Sequence, residues 1–449
     1  MSHANVNSAA SSTKEFTKIR ILAALLLVVM CAEFIGSVTF SVGPGKIILQ
    51  PMLWAIFIGA TLAAAAQRAP VLWRIDTAMQ SRIGAYLLYA LLPFLAKLGF
   101  MVGGSLPQVY EAGWALIFQE LGHFFGTMAI GLPLALLLGI KREAIGATFS
   151  VGREPSLAII GQRYGMNSPE GRGVMAEYLT GTVIGALFIA VLAGYITSLG
   201  IFDPRSLAMG AGVGSGSMMA AGVGAIAAQQ TPDMARQVAA LAAAANLLTT
   251  VVGVYFTLFI SLPTAVWLYE KLEPVLGRVA CVKGGLATVE SDLSQATPAL
   301  PETMPETMGF GDRLLVYSVC GLFALVGNRL GYNVPFTEAL PGVGIIVLLV
   351  VLADGLLRVL PKLPAVFVLS VVAMTAGYPG ALPYSDQIIA MVGKVNFLPF
   401  TTVILAMAGL SILKDLPAFR KLGWKIVVVS LAANAGTFLG ATIIAEFFH

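Results

Sequence analysis

Charge is what this sequence has least of. Only 11% of its 449 residues are Asp, Glu, Lys or Arg, while 57% are hydrophobic, and the mean hydropathy is +0.86. Soluble domains carry roughly a quarter charged residues, so a soluble enzyme is excluded and a polytopic membrane protein is expected. The excess of 27 Lys and Arg over 23 Asp and Glu is too small to build a phosphate-binding face, so no nucleic-acid partner is expected. Cysteine is scarce as well. Cys31, Cys281 and Cys320 stand far apart with no C-x-x-C, which excludes a disulfide framework and a thiolate metal site. Histidine is limited to His3, His123 and His449. Gln119-Glu120-Leu121-Gly122-His123 has the spacing of the H-E-x-x-H motif, but Gln119 stands where the first histidine should be, so zinc ligation by two histidines is excluded here. No G-x-x-x-x-G-K-[ST] loop is present, and without a nucleotide site primary active transport is not expected. No cofactor is expected beyond Na⁺ or H⁺ as a coupling ion.

What is abundant is apolar sequence in runs of membrane-spanning length, about 20 residues each. Candidate spans cover residues 19–40, 47–66, 83–102, 113–140, 173–199, 237–268, 314–330, 342–359, 363–379, 396–413 and 425–447. The fold class expected is an all-α membrane protein with about eleven transmembrane helices plus re-entrant or broken helices. Residues 1–18 are polar and read as a disordered cytoplasmic tail. Residues 19–269 form an N-terminal transmembrane half. Residues 270–313, rich in Pro, Thr, Ser and Glu, read as a flexible linker to a C-terminal transmembrane half at 314–449.

Glycine concentrates between residues 207 and 228, where Gly210, Gly212, Gly214, Gly216, Gly222 and Gly224 interrupt an apolar stretch. Each glycine costs up to about 1 kcal/mol against alanine inside a helix, so the stretch predicts a broken helix or very close backbone packing. Asp203-Pro204-Arg205 before it and Gln229, Gln230, Pro232 and Asp233 after it give it polar ends. A re-entrant hairpin follows, with Gly214, Ser215, Gly216 and Ser217 at a tip that holds a solute. Irregular backbone survives at membrane depth only where protein or a watery cavity satisfies its polar groups. The basic clusters support the same reading. Lys14–Arg20, Arg68–Arg82, Lys141–Arg172, Lys271–Lys283, Arg358–Lys362 and Lys414–Lys425 all fall on one side if the glycine stretch turns back without crossing, which places the N-terminus in the cytoplasm.

Ionisable residues inside spans are functional candidates by default. Glu120 and His123 lie three apart on one helical face and are candidates for coupling. Arg153, with Glu154 and Ser156, interrupts apolar sequence. Its planar donor fork suits a carboxylate, whereas a helix start capped by Glu154 and Ser156 is the plain structural account. Asn246 and Asn434 sit in alanine-rich spans, either joining helices or facing a solute. Glu33, Lys97 and Asp354 lie nearer span ends, where snorkelling accounts for them. Ser215 and Ser217 lack a G-x-S-x-G frame and a nearby histidine, so serine hydrolysis is not expected. A weak internal repeat joins Ser105-Leu106-Pro107-Gln108 to Ala381-Leu382-Pro383-Tyr384, and repeats mark secondary transporters.

The run from Ser206 through Tyr255, pairing the glycine–serine stretch with the helix of Asn246, resembles the core of bacterial secondary carriers of the lysine-exporter, glutamate–sodium symporter and 2-hydroxycarboxylate groups. The tail Gly409-Leu410, Lys414-Asp415-Leu416 and Arg420-Lys421-Leu422-Gly423-Trp424-Lys425 is similar to the last two spans of related carriers, and the whole chain resembles an uncharacterised prokaryotic family of multi-pass proteins. The resemblance implies a two-half repeat of secondary-transporter type, with a scaffold and a mobile core moving as an elevator. The function expected is ion-coupled transport of a small polar solute, an organic anion or amino acid, across the cytoplasmic membrane. A passive channel and a membrane-embedded enzyme are the alternatives. The partners expected are the solute, the bilayer and a second copy of the chain in a homodimer.

Overall fold

The computed structural model describes residues 2–42, 45–70, 73–151, 154–165, 168–251, 253–281, 308–360, 363, 365–414, 416–417 and 423–448. Helices dominate. In chain order they are α1 (Ser2–Ile35), α2 (Pro51–Ala66), α3 (Thr77–Gly104), α4 (Leu106–Glu111), α5 (Gly113–Leu137), α6 (Glu143–Thr148), α7 (Glu154–Arg163), α8 (Pro169–Thr180), α9 (Ala186–Leu199), α10 (Pro204–Gly212), α11 (Gly216–Ala227), α12 (Pro232–Val251), α13 (Gly253–Phe256) and α14 (Leu262–Cys281). After Met308 come α15 (Phe310–Tyr332), α16 (Phe336–Val359), α17 (Ala365–Gly377), α18 (Ser385–Gly393), α19 (Leu398–Ser411) and α20 (Gly423–Phe447). A π-helical turn, Gly181–Gly185, joins α8 to α9. The strands among the described residues form a single hairpin of β1 (Val38–Val42) and β2 (Gly45–Leu49), paired antiparallel. It takes residues that sequence reading had given to the ends of the first two spans, because β-branched and aromatic residues (Val38, Thr39, Phe40, Val42, Ile47 and Ile48) are concentrated there.

Helix starts are set locally. Asp76 accepts from Met79 N at the head of α3, Ser168 from Gly171 N at α8, and Asp203 from Arg205 N at α10. Such caps satisfy N–H groups that have no partner within their own helix. The polar first eighteen residues, expected as a tail, continue α1 back to Ser2; extending an existing helix avoids the cost of nucleation. At the expected linker, α14 runs on to Cys281 and α15 begins at Phe310, and residues 282–307 lie outside the described residues.

Six described helices are long and apolar enough to cross a membrane, or seven if the pair Ser385–Gly393 and Leu398–Lys414, bent by 55°, is one span. The difference from about eleven expected has simple causes. Pro51–Ala66 has 16 residues, about 24 Å of helix, short of a hydrocarbon core of about 30 Å. Residues 237–268 are divided among α12, α13, a second π-helical turn and α14.

The helices pack in two groups. In one, α1, α2 and α3 lie against α15 to α19; in the other, α5, α6, α8, α9 and α10 lie against the C-terminal α20, and α11 and α12 pack between the two, on α10 and on α19 and α3. Close backbone approach fixes the pairs. A Cβ on Gly126 would come 2.1 Å from Gly436 O, and one on Gly122 would come 2.1 Å from Gly440 O. The two four-residue glycine spacings therefore lock α5 antiparallel to α20, the small-residue packing that membrane helices use. In the first group, Gly99 meets Ala373 and Gly103 meets Gly377, so α3 and α17 run parallel.

The basic clusters gather at one end of the bundle. Lys18 pairs with Asp312 at 2.8 Å, Lys141 with Glu273 at 2.6 Å, Arg142 with Glu170 and Arg172 with Glu143 at 2.7 Å each. Arg20 donates to Arg74 O, and the Lys414 ammonium lies over Gly84. The Glu170 hydrogen bond pushes the Arg142 pKa further up, holding that guanidinium charged.

Candidate functional site

The glycine stretch folds as two short helices, α10 and α11, broken at Val213-Gly214-Ser215. Their directions follow from what they touch. Gly185 of the π-helical turn and Ile189 and Gly194 of α9 face Met218, Gly222 and Ala225 in that order, so α9 and α11 run parallel. The chain reverses between α9 and α10, so α10 runs opposite to both, and Ala211 faces Gly222 across the hairpin. Nine residues of α10 reach about 14 Å inward at 1.5 Å each. Glycine is required on this arm, because a Cβ on Gly210 would strike Thr442 Oγ1 and Phe438 O, and one on Gly212 would come 2.5 Å from Ala242 O.

A second hairpin enters from the basic end. Helix α6 begins beside Arg142 and climbs until Thr148 packs against Gly131 of α5. Phe149 O there accepts from Ser261, and Val151 is fully buried. Helix α7 then leads to Arg163 and Tyr164, and Tyr164 adds to the rise in the Arg142 pKa that the Glu170 hydrogen bond dominates. The two hairpins thus point at each other from opposite ends. Val151 of one and Val213 and Gly214 of the other share a cavity of about 10 Å³ with Asn434 and Thr437, room for about one water.

A ring of buried polar groups surrounds this junction. Asn246 Nδ2 donates to Gly212 O at 2.7 Å and Gly214 O at 3.2 Å, answering carbonyls that a broken helix leaves without helical partners. One turn on, Thr249 donates to Glu120 Oε1, which also accepts from Gln119 Nε2 at 3.1 Å. His123 Nδ1 stands 3.4 Å from Glu120 Oε2, while its Nε2 is buried with no hydrogen bond among the described residues. Thr127 donates to His123 O and meets Thr437 Oγ1 at 2.7 Å. One turn back from Thr437, Asn434 Nδ2 donates to Ser430 O at 2.7 Å and to Glu177 Oε1 at 3.4 Å, leaving its Oδ1 without a partner among the described residues.

Most of the residues singled out from sequence therefore lie around one junction. Glu120, His123, Asn246 and Asn434 are buried in its ring. Ser215 and Ser217 stand at the hairpin tip with their hydroxyl oxygens 3.4 Å apart, and Ser215 caps α11 through Met218 N. Gly214 and Gly216 flank them. Ser156 is buried on α7. Glu154 begins α7, and Arg153 lies outside the described residues. Sequence reasoning missed Glu177, which is fully buried one turn before the π-helical segment. Its signal was present: it is a lone acid inside the span predicted at 173–199. The three charges expected to snorkel are instead nearly buried among neighbouring helices. Glu33, Lys97 and Asp354 are at most 8% exposed; Asp354 pairs with Arg313, and Lys97 donates to Val392 O at 2.8 Å.

A family model described as a protein of unknown function, DUF3100, matches residues 30–271, which span both hairpins and α12. No curated protein and no solved structure matches the chain.

Proposed function

The chain belongs to the DUF3100 family, and from that premise we propose that it is an ion-coupled secondary transporter of a small polar solute, an organic anion or an amino acid. One observation carries the reading. Two broken helices enter the bundle from opposite ends and put their tips together at mid-depth, beside buried amides and carboxylates. Non-helical backbone at such depth is tolerated where it is buried in protein or lines a cavity, and discontinuous helices at the midplane are how secondary carriers bind solute and ion.

In this reading both hairpins are re-entrant, and the chain crosses about eleven times through α1, α2, α3, α5, α8–α9, α12, α15, α16, α17, α19 and α20, the bilayer thinning beside the short α2. The basic end faces the cytoplasm with the N-terminus. Opposed hairpins favour an inverted relation between repeats, and the group around α20 moves as an elevator against the group holding α1 to α3. Gly214, Ser215, Gly216, Ser217, Asn246 and Asn434 contact the solute. Ser156 meets it from the other hairpin, and Arg153 and Glu154 beside it in sequence are assigned to the solute as well, the Arg153 fork suiting a carboxylate. Glu120 and His123, three apart, couple binding to H⁺ or Na⁺; Glu120 accepts from Thr249, one turn from Asn246, and Thr127 joins His123 O to Thr437, one turn from Asn434. A channel is disfavoured by the closed junction, whose cavity holds about one water.

The test is uptake into proteoliposomes over a panel of carboxylates and amino acids, with and without Na⁺ and pH gradients. Saturable uptake driven by one gradient is expected. Non-saturable flux indifferent to both gradients would make the protein a channel.

A further inference from the structure

A second cavity opens at the end away from the basic clusters, between the two helix groups. Its volume is about 1540 Å³, and it is lined by Glu33 of α1 and Lys97 of α3 on one side and by Gln230, Asp233 and Arg236 beside α12 on the other. Glu33 and Lys97 are 8% and 5% exposed, yet neither meets an opposite charge among the described residues. Lys97 holds Val392 O at 2.8 Å with one of its three N–H groups. Glu33 accepts from Thr402 and lies over Gly327 and Gly331, where a Cβ would come 2.6 Å and 3.5 Å from its oxygens. Two glycines thus make room for that carboxylate. Burying a charge is costly unless it is paired, and replacing either residue with an apolar one would remove the cost.

We propose that this cavity captures a zwitterionic solute, its carboxylate on Lys97 and its ammonium on Glu33, before it passes to the hairpin junction. The proposal rests on the transport reading and narrows its substrate class from organic anions in general to amino-acid-like zwitterions. A single anion would satisfy Lys97 and leave Glu33 opposing it, whereas a zwitterion completes both pairs. The residues on the α12 side supply polar contacts that a docked solute exchanges as the groups move.

The experiment is direct binding to the purified full-length protein, read by thermal shift and titration calorimetry, which needs no transport. The probes are the common amino acids and, for each that binds, its deaminated carboxylate and decarboxylated amine. The wild-type protein should prefer the zwitterion to both analogues. Lys97→Gln, which keeps a donor for Val392 O, should weaken the amino acid and the carboxylate about tenfold or more. Glu33→Gln, which keeps an acceptor for Thr402, should weaken the amino acid by a similar factor and bind the carboxylate as well as or better than before. Equal effects of Glu33→Gln on amino acid and carboxylate would overturn the assignment. If either variant fails to fold, the wild-type preference decides, and binding of simple carboxylates alone overturns the proposal. Uptake of simple carboxylates with no amino-acid binding would sink the zwitterion and leave the transporter standing. Amino-acid binding without uptake of any solute would do the reverse.

Discussion

Removing the Asn246 amide should loosen the glycine hairpin by an amount the geometry allows to be worked out. Its Nδ2 holds two carbonyls at the helix break, Gly212 O at 2.7 Å and Gly214 O at 3.2 Å. Interhelical hydrogen bonds in a bilayer are worth about 0.6 kcal/mol on average and up to about 1.7, so losing two costs about 1–3 kcal/mol. Since about 1.4 kcal/mol is a factor of ten in an equilibrium, Asn246→Ala should raise the open fraction of the hairpin about ten- to a hundredfold. The readout is the rate at which an impermeant maleimide modifies Ser217→Cys, with Cys31, Cys281 and Cys320 replaced by serine. Asn246→Asp is the sharper variant. It keeps the shape but sets a carboxylate oxygen against two carbonyl oxygens, so it should open the hairpin at least as far as alanine does. Expression should persist in both. An unchanged labelling rate in Asn246→Ala and Asn246→Asp would refute the view that this amide closes the tip.

The α5–α20 contact gives a second test: Gly126→Ala, whose Cβ would sit 2.1 Å from Gly436 O, should cost roughly 1–3 kcal/mol of stability. Gly344→Ala, with nothing within 4 Å, should be neutral or better in the same melting assay in detergent. If the glycine hairpin is re-entrant, cysteines at Ile201 and Asp233 should both react with an impermeant reagent from the same side of sealed vesicles; reaction from opposite sides would make the stretch a full span. If Arg153 grips a substrate carboxylate, Arg153→Lys should raise the apparent KM strongly at normal protein levels, since lysine loses the bidentate fork; unchanged kinetics in Arg153→Lys and Arg153→Ala would remove it from the site.

How much of this fold can be read from sequence depends on whether the cause is local. The broken helix at 207–228 was legible because glycine acts on its own backbone, and Asp203 and Ser215 mark the helix starts on either side. The hairpin of α6 and α7 was only half legible. Gly152 to Ser156 showed an interruption, but that the chain turns back there depends on Gly131 leaving room for Thr148 and on Ser261 taking Phe149 O. The grouping of helices was not legible at all. A linker divides the sequence into two halves, yet α20 packs on α5 because Gly436 and Gly440 meet Gly126 and Gly122 across more than three hundred residues, a contact no local pattern encodes.

The charges teach the same lesson from the other direction. Position within a span made Glu33 and Lys97 look able to reach an interface, since a residue near a helix end ordinarily finds water by extending its side chain. That inference treats each helix as standing alone in lipid. In the bundle, Glu33 extends over the glycines of α15 and Lys97 extends to α18, so neighbouring helices hold both side chains in the wall of the cavity between them. Glu177 shows the converse: it sits deep in its span, and burial followed from sequence position alone, but its partner Asn434 lies 257 residues away. Depth is a property of one helix and can be read along it. Whether a charge at a given depth meets water, a partner or a solute is a property of which helices are its neighbours, and here that is decided by glycines rather than by the charged residues themselves.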